Sequence, residues 1–347
     1  MKTVRLGKTD LYVSKIGIGG IPIQRPSEDK AIKVIQRALD LGVTFLDTSR
    51  AYRTSEERIG KAVAGCRDQV VIATKAGWQD KITALTHLEE SLQHLNTDYI
   101  DLWQFHNVST LEGFERLFKP DGAMEAAQDA LRAGKIRHVG ISSHSPIVAQ
   151  KAVISGQFET IMFPFNFVAR ELAEELVPLT REHDIGFIAM KPFAGGMLQD
   201  ANLSIKYLLQ FENVMPIPGI EKIEEVEQIV DIVNGSWELT VQERQEMEEI
   251  RTKMDTQICR RCGYCQPCSE KVGIIPLVNM ASLWKLWPRE ALHPEDNTRF
   301  SQFLANFVES GRNCTQCGEC EEKCPYHLPI REMITENVEF YENIIRG

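Results

Sequence analysis

The chain has 347 residues, of which 43% are hydrophobic and 25% charged, with a formal net charge of -10. That length accommodates a barrel of about 250 residues plus an appendage of roughly 100. The acidic balance argues against a nucleic-acid partner, because phosphate binding needs a concentrated cationic surface. No apolar run follows Met1-Lys2-Thr3-Val4-Arg5, so no signal peptide is expected. The longest apolar-leaning stretch, 273–286, is broken by Pro276, Asn279 and Lys285 and is too short to span a bilayer. A cytoplasmic protein with no membrane partner is therefore expected. Eight of the nine cysteines lie after residue 258, and in a reducing compartment such density reads as metal ligation.

In chain order, residues 4–13, with Gly7 between two β-prone pieces, read as a hairpin. Eight short β-rich runs then alternate with amphipathic helical patterns, at 15–20, 44–47, 70–75, 99–106, 138–142, 160–166, 186–193 and 214–219. Val70-Val71-Ile72-Ala73 is the continuous apolar run expected of a parallel strand buried on both faces. Between the first two runs, Ala31, Ile35, Ala38 and Leu39 recur at helical spacing, with Ser27 as N-cap and Gly42 as stop. Leu85, Leu88, Leu92 and Leu95 give the third helix its stripe. Eight such units imply a closed (β/α)8 barrel. The long loop 107–122 is placed to overhang the pocket. From 242 to 254 the pattern is helical and charged, and a domain boundary falls near Asp255.

Strand ends on one face of such a barrel carry the chemistry. Asp47 ends the second strand, with Tyr52 just beyond it; Lys75 ends the third and His106 the fourth. Taken singly, each has a plain structural reading as an ion pair or a satisfied partner. Together they support delivery of a proton to a carbonyl oxygen as hydride reaches the carbon. A phenol of pKa near 10 becomes a usable acid beside an ammonium, and a carboxylate keeps that ammonium charged. Tyr52 is then the acid, Lys75 the tuner, Asp47 the orienter and His106 the polariser of the substrate oxygen.

In this pattern, an Asp, a Tyr five residues on, then a strand-end Lys and a strand-end His, the chain resembles the aldo-keto reductase family over roughly residues 3–235. The resemblance implies NAD(P)H-linked reduction of a small carbonyl, or the reverse alcohol oxidation, on a TIM barrel. It implies Gly20 and Ile21 near the nicotinamide ribose, and Ser142 and Ser143 with Asn166 about the carboxamide. It puts Lys191, Phe193 and Gly196 along the pyrophosphate. Met162 and Met190 stand where the family often has Gln and a stacking aromatic, and barrel packing is the alternative reading for both. Glu225 stands near the position that often carries an Arg for the 2′-phosphate, and a carboxylate there favours a free ribose hydroxyl. The choice between NAD and NADP stays open.

The cysteines form an internal repeat: Cys259, Cys262, Cys265 and Cys268, then Cys314, Cys317, Cys320 and Cys324 followed by Pro325. The second run has the C-x2-C-x2-C-x3-C-P spacing of bacterial ferredoxins. In the first run the last gap is one residue shorter and Ser269 replaces the proline. Structural zinc takes separated cysteine pairs more than such triplets. Cys66 reads as a small packing residue. The region resembles two-cluster ferredoxin domains, and the whole chain resembles the iron–sulfur branch of the aldo-keto reductases. That implies two [4Fe-4S] clusters, one on Cys259, Cys262, Cys265 and Cys324, the other on Cys314, Cys317, Cys320 and Cys268. Ile275, Leu277, Leu283, Trp284 and Trp287 are expected to dock this part on the barrel.

The fold expected is therefore α/β, with a (β/α)8 TIM barrel over 1–254 and a small, mainly helical ferredoxin-like domain over 255–347. Hydride moves two electrons together and a cluster moves one, so coupling the halves needs a converter; flavin remains open, as does a redox protein partner. Two other readings stand beside this one: the same barrel chemistry with structural or sensing clusters, and a non-catalytic electron-transfer or sensor protein.

Overall fold

The computed structural model describes residues 1–280 and 299–346. Leu283, Trp284 and Trp287 lie outside the described residues. The chain divides into two compact units: Met1–Phe193 with Asp200–Thr240, and Ala194–Gln199 with the chain from Val241 onward.

The first unit opens with an antiparallel hairpin, β1 (Thr3–Arg5) on β2 (Tyr12–Ser14). Strand and helix then alternate: β3 (Ile18–Gly19), α1 (Glu28–Asp40), β4 (Phe45–Asp47), α2 (Ser55–Val63), β5 (Val71–Ala76), α3 (Lys81–Leu95) and β6 (Ile100–Phe105). There follow α4 (Leu111–Arg116), α5 (Ala123–Arg132), β7 (Ile136–Ser142), α6 (Pro146–Ile154), β8 (Thr160–Pro164), α7 (Glu171–Glu182), β9 (Gly186–Met190), α8 (Ala201–Leu209), β10 (Val214–Ile217) and α9 (Ile223–Asn234). Strands β3 to β10 form one parallel eight-stranded sheet in sequence order. Its two edges meet, since Gly17 N donates to Pro216 O at 2.9 Å and Gly19 N to Pro218 O at 2.8 Å. The sheet is thereby a closed barrel, and no edge is left for a foreign strand.

Side chains alternate across each strand, so residues two apart share a face. Phe45, Ala73, Leu102, Met162, Ile188 and Met215 form one buried cluster, joined by Val4, Leu6 and Val13 of the hairpin region. Each fully buried side chain of Leu or Phe size contributes roughly 1.5–3 kcal/mol to that core. One inward step along the same strands, from Phe45 to Asp47, Ala73 to Lys75 and Leu102 to Gln104, apolar residues give way to polar ones, all still buried. Met162 lies in this core and Met190 packs against it, which is the packing reading of both.

Local differences from the sequence reading have physical causes. Ser27 precedes α1 without a side-chain capping bond, and Glu28 and Asp29 face the helix N-terminus instead, where negative charge is favoured. Val34 is buried on α1, and Leu39 only half-buried. On α3 the stripe is Ala84, Leu88, Leu92 and Leu95, with Leu85 half-buried. The loop 107–122 contains α4, because Thr110 caps it, accepting from Gly113 N at 3.0 Å, and Phe114 is buried beneath it.

The second unit takes in α10 (Val241–Met254), a charged helix in which Met247 is buried, so the compact division falls before α10 rather than after it. Helices Ile274–Val278, Arg299–Arg312, Glu319–Glu322 and Ile330–Arg346 follow. Leu277 is buried in this unit's own core with Val272, Ile274, Leu328 and Ile334, while Ile275 is half-buried. Among the described residues, no helix is long and apolar enough to cross a membrane.

Candidate functional site

The polar layer above the barrel core is built around Lys75, 1% exposed near the end of β5. Its Nζ donates to both Asp47 carboxylate oxygens at 2.7 Å and to the Thr48 carbonyl at 2.6 Å. Three acceptors thus take the three ammonium protons. Burial pushes the Lys75 ammonium down and the Asp47 carboxyl up, and the contact between them opposes both shifts. Asp47 also accepts from Gln104 Nε2 at 3.4 Å.

Tyr52, 8% exposed, lies on the loop after β4 with its ring centroid 5.0 Å from Lys75 Nζ. Its ring meets that of His106 edge-on, with centroids 5.7 Å apart and planes at 84°. The phenol is pushed well above its ordinary range, first by burial and then by the Asp47 charge. The net shift is opposite to the lowering expected from the sequence, because burial and the Asp47 charge dominate in the free protein.

His106 stands one residue beyond β6. Burial, the Lys75 ammonium and His87 hold its imidazole down to about 3, so the ring is neutral at physiological pH. Its Nδ1 is 2.9 Å from Ser49 Oγ, and its carbonyl accepts from Trp78 Nε1 at 2.9 Å. The structure therefore brings Asp47, Tyr52, Lys75 and His106 together, and adds Ser49, Gln104 and Trp78, which the sequence reading did not single out. The signal for the first two is period: Ser49 is two residues after Asp47, and Gln104 two before His106.

The residues expected at a nucleotide are held by local bonds. Gly20 N donates to Asp47 O at 2.7 Å, and Ile21 precedes a 3-10 turn over Pro22–Gln24. Ser142 Oγ accepts from Asn107 N at 2.8 Å, and Ser143 Oγ from Ser145 N at 3.0 Å. Asn166 Oδ1 accepts from Val168 N and Ala169 N, and its Nδ2 reaches the Lys191 carbonyl at 3.3 Å. Lys191 has a left-handed φ of 59°; Phe193 is half-buried, and Gly196 groups with the second unit. Glu225 caps its own helix: its Oε2 accepts from Glu221 N at 2.9 Å and Lys222 N at 3.2 Å.

In the second unit, Cys265, Cys268, Cys314, Cys317 and Cys320 line one small pocket beside Arg331. Cys324 is buried in the adjoining core, against which Cys259 also packs. Among the described residues, no three His, Cys, Asp or Glu side chains are arranged to hold a metal ion. The two runs nonetheless repeat one backbone shape, with φ of 60° and 89° at Arg261 and Gly263, and 60° and 86° at Gln316 and Gly318. At the two glycines the absence of a Cβ makes that conformation inexpensive. Donors reach the first sulfur of each run: Arg261 N to Cys259 Sγ at 3.4 Å and Gln316 Nε2 to Cys314 Sγ at 3.7 Å. Burial pushes the Cys259 and Cys265 thiols up, Cys265 to about 12, which disfavours a bare thiolate there. Cys66 is half-buried outside this unit.

The sequence profile described as Aldo/keto reductase family matches residues 15–205. The uncharacterized oxidoreductase YqkF of Bacillus subtilis is 34% identical over 217 residues, 58% of this chain and 68% of that protein. The aldo-keto reductase YhdN of the same organism is 32% identical over 217 residues, 57% of this chain and 64% of that protein. Aldo-keto reductase AKR11C1 from Bacillus halodurans in its holo form superimposes with a TM-score of 0.63 at 27% identity, covering 72% of this chain and 96% of that one. An aldo-keto reductase from Klebsiella pneumoniae, solved with NADPH, shares the fold with a TM-score of 0.62 at 23% identity, over 72% of this chain and 95% of that one. With the profile spanning more than half of its length, the chain belongs to the aldo/keto reductase family of oxidoreductases.

Proposed function

We propose that the barrel is an NAD(P)H-linked reductase of small aldehydes or ketones, or runs the reverse alcohol oxidation, with Asp47, Tyr52, Lys75 and His106 as its catalytic set. The observation that carries the reading is the buried Lys75–Asp47 pair, with Lys75 Nζ over the Tyr52 ring and His106 edge-on to that ring. A bound nicotinamide supplies hydride to the carbonyl carbon. The neutral His106 polarises the carbonyl oxygen, and Tyr52 delivers the proton to the oxygen as negative charge develops there. An alkoxide-like oxygen is a strong base, so a phenol that holds its proton in the free protein releases it at that moment. Asp47 keeps Lys75 charged, and that charge stabilises the phenolate left behind.

Gly20, Ile21, Ser142, Ser143, Asn166, Lys191, Phe193 and Gly196 are the proposed nucleotide contacts. Because Glu225 is turned to its own helix, it gives little reason to prefer NAD, and both nucleotides remain candidates. A cytoplasmic location accords with this chemistry.

We further read the cysteine unit as a holder of two [4Fe-4S] clusters. The left-handed residues at matched places in the two runs accord with the backbone nests that occur at Fe–S sites. Cys265 and Cys268 of the first run line one pocket with Cys314, Cys317 and Cys320 of the second, so the two runs adjoin as a crossed ligand set requires; thiolates of this type and spacing are the donors iron takes. In this reading the clusters pass electrons to or from a redox protein, with a flavin as converter. The burial of Cys324 in the unit's core favours a second reading, in which the clusters chiefly hold the unit folded.

The test is Tyr52→Phe in anaerobically prepared protein, assayed on a panel of aldehydes and ketones with each nucleotide. Turnover should fall by at least about 100-fold, the scale of a lost positioned acid, with cluster absorbance unchanged. Retained turnover overturns the barrel reading. In the same samples, bleaching of the cluster band by a nucleotide supports the electron-transfer role. Bleaching by dithionite alone supports the structural one.

A further inference from the structure

The neutral His106 ring carries its one proton on either nitrogen, and only one arrangement lets it polarise a substrate oxygen. Nδ1 is the nitrogen facing Ser49, at 2.9 Å. Nε2 makes no hydrogen bond among the described residues, so it is the nitrogen left for a ligand. To donate from Nε2, the ring must be an acceptor at Nδ1. Which nitrogen is protonated is set by the bond the other one makes.

Ser49 is 1% exposed, and its hydroxyl has one proton to give. Its oxygen accepts from Ala51 N at 3.2 Å. Two acceptors compete for the proton: His106 Nδ1 at 2.9 Å and the Lys75 carbonyl at 3.3 Å. The carbonyl already accepts from Arg50 N at 3.0 Å, whereas Nδ1 has no other hydrogen-bond partner among the described residues. Two arrangements satisfy these contacts: Ser49 donating to Nδ1, or Nδ1–H donating to Ser49 Oγ while the hydroxyl turns to the Lys75 carbonyl. The shorter contact to Nδ1 and the bond the carbonyl already accepts favour the first. Tyr52 adds to the constraint, because its backbone N donates to Ser49 O at 2.9 Å while its ring abuts His106 edge-on. One loop thus places the proposed acid and fixes the ring beside it.

We infer that Ser49 is a positioning residue that donates to His106 Nδ1 and thereby holds the imidazole in the tautomer with its proton on Nε2, aimed at a carbonyl oxygen. This rests on the reductase reading of the site. The opposite assignment would present a lone pair to the substrate oxygen and repel it. The low basicity of His106 is consistent with a ring that stays neutral and works by hydrogen bonding.

The test uses the full chain with its histidines labelled with nitrogen-15. Long-range proton–nitrogen spectra distinguish a protonated ring nitrogen from a bare one, and a His106→Gln sample assigns the His106 signals. The wild type should show Nε2 protonated and Nδ1 bare across the neutral range. Ser49→Ala should move both nitrogens toward intermediate shifts and lower kcat by about tenfold or more, with the 10²–10⁴-fold of a lost positioned proton donor as the ceiling, and nucleotide affinity unchanged. Ser49→Thr, which keeps the hydroxyl, should restore the wild-type spectrum and most of the rate. A wild-type ring protonated on Nδ1, or a Ser49→Ala spectrum identical to wild type, overturns the inference. The spectra do not depend on turnover, so failure of the reductase reading, seen as an active Tyr52→Phe enzyme, is distinguishable from failure of this one.

Discussion

Lys75 and Asp47 illustrate how a pair buried for chemistry bears on stability. Both are almost fully buried, at 1% and 3% exposure, and taking two charges out of water costs several kcal/mol per ion before their attraction repays it. Removing one partner strands the other. Asp47→Leu or Lys75→Met alone should therefore lower unfolding free energy by about 3–5 kcal/mol. The double variant should recover most of that loss, because two apolar side chains suit the layer above Phe45 and Ala73. Urea unfolding at neutral pH followed by tryptophan fluorescence would show it, and additive losses would mean that the pair is not acting as a unit. The direction of the Tyr52 shift was not legible in the sequence. Spacing brings an ammonium near a phenol, but does not show the burial of the phenol beside the Asp47 charge, and these two push it up.

At the scale of elements, period carried most of the information. Parallel strands buried on both faces gave eight apolar runs, and each overlaps an observed strand; six contain it with trimmed ends, whereas β5 runs one residue past its run and β7 begins two residues before its own. At one end the bonding outlasts the strand: His106 N bonds to Ala76 O at 3.0 Å, although β6 ends at Phe105. What period could not supply was α4, a six-residue helix too short for an amphipathic pattern. Its start depends on one hydroxyl. Thr110→Ala should cost about 1 kcal/mol, as typical for a lost N-cap, and speed amide exchange across 110–117 while β6 exchange is unchanged. Unaltered protection there would show that burial of Phe114 alone holds the helix. The nucleotide contacts were the least legible part, since Ser142, Ser143, Asn166 and Glu225 each have local backbone partners that a motif alignment cannot see.

For the whole molecule, composition already divided the chain, because the cysteines are confined to its last third, apart from Cys66. The compact units fall near that division, with α10 on the cysteine side. Polar helices with few buried side chains, such as α10, carry little sequence signal about which unit claims them. Within the barrel, a second lysine mirrors Lys75. Lys15, 2% exposed and just before β3, gives its Nζ protons to the carbonyls of Phe211, Glu212 and Val214 at 2.8, 2.7 and 2.9 Å. One saturated lysine thus lies at the entry end of the strands and the other at the exit end. Each amine is buried and held by three acceptors, out of reach of an acylating reagent while the barrel is closed, so each acts as a reporter for its own end. Pulse labelling with an amine-reactive ester, read by mass spectrometry, should leave both unmodified long after exposed lysines such as Lys61 have reacted. Under mild denaturant, the one that reacts first marks the end from which the barrel opens.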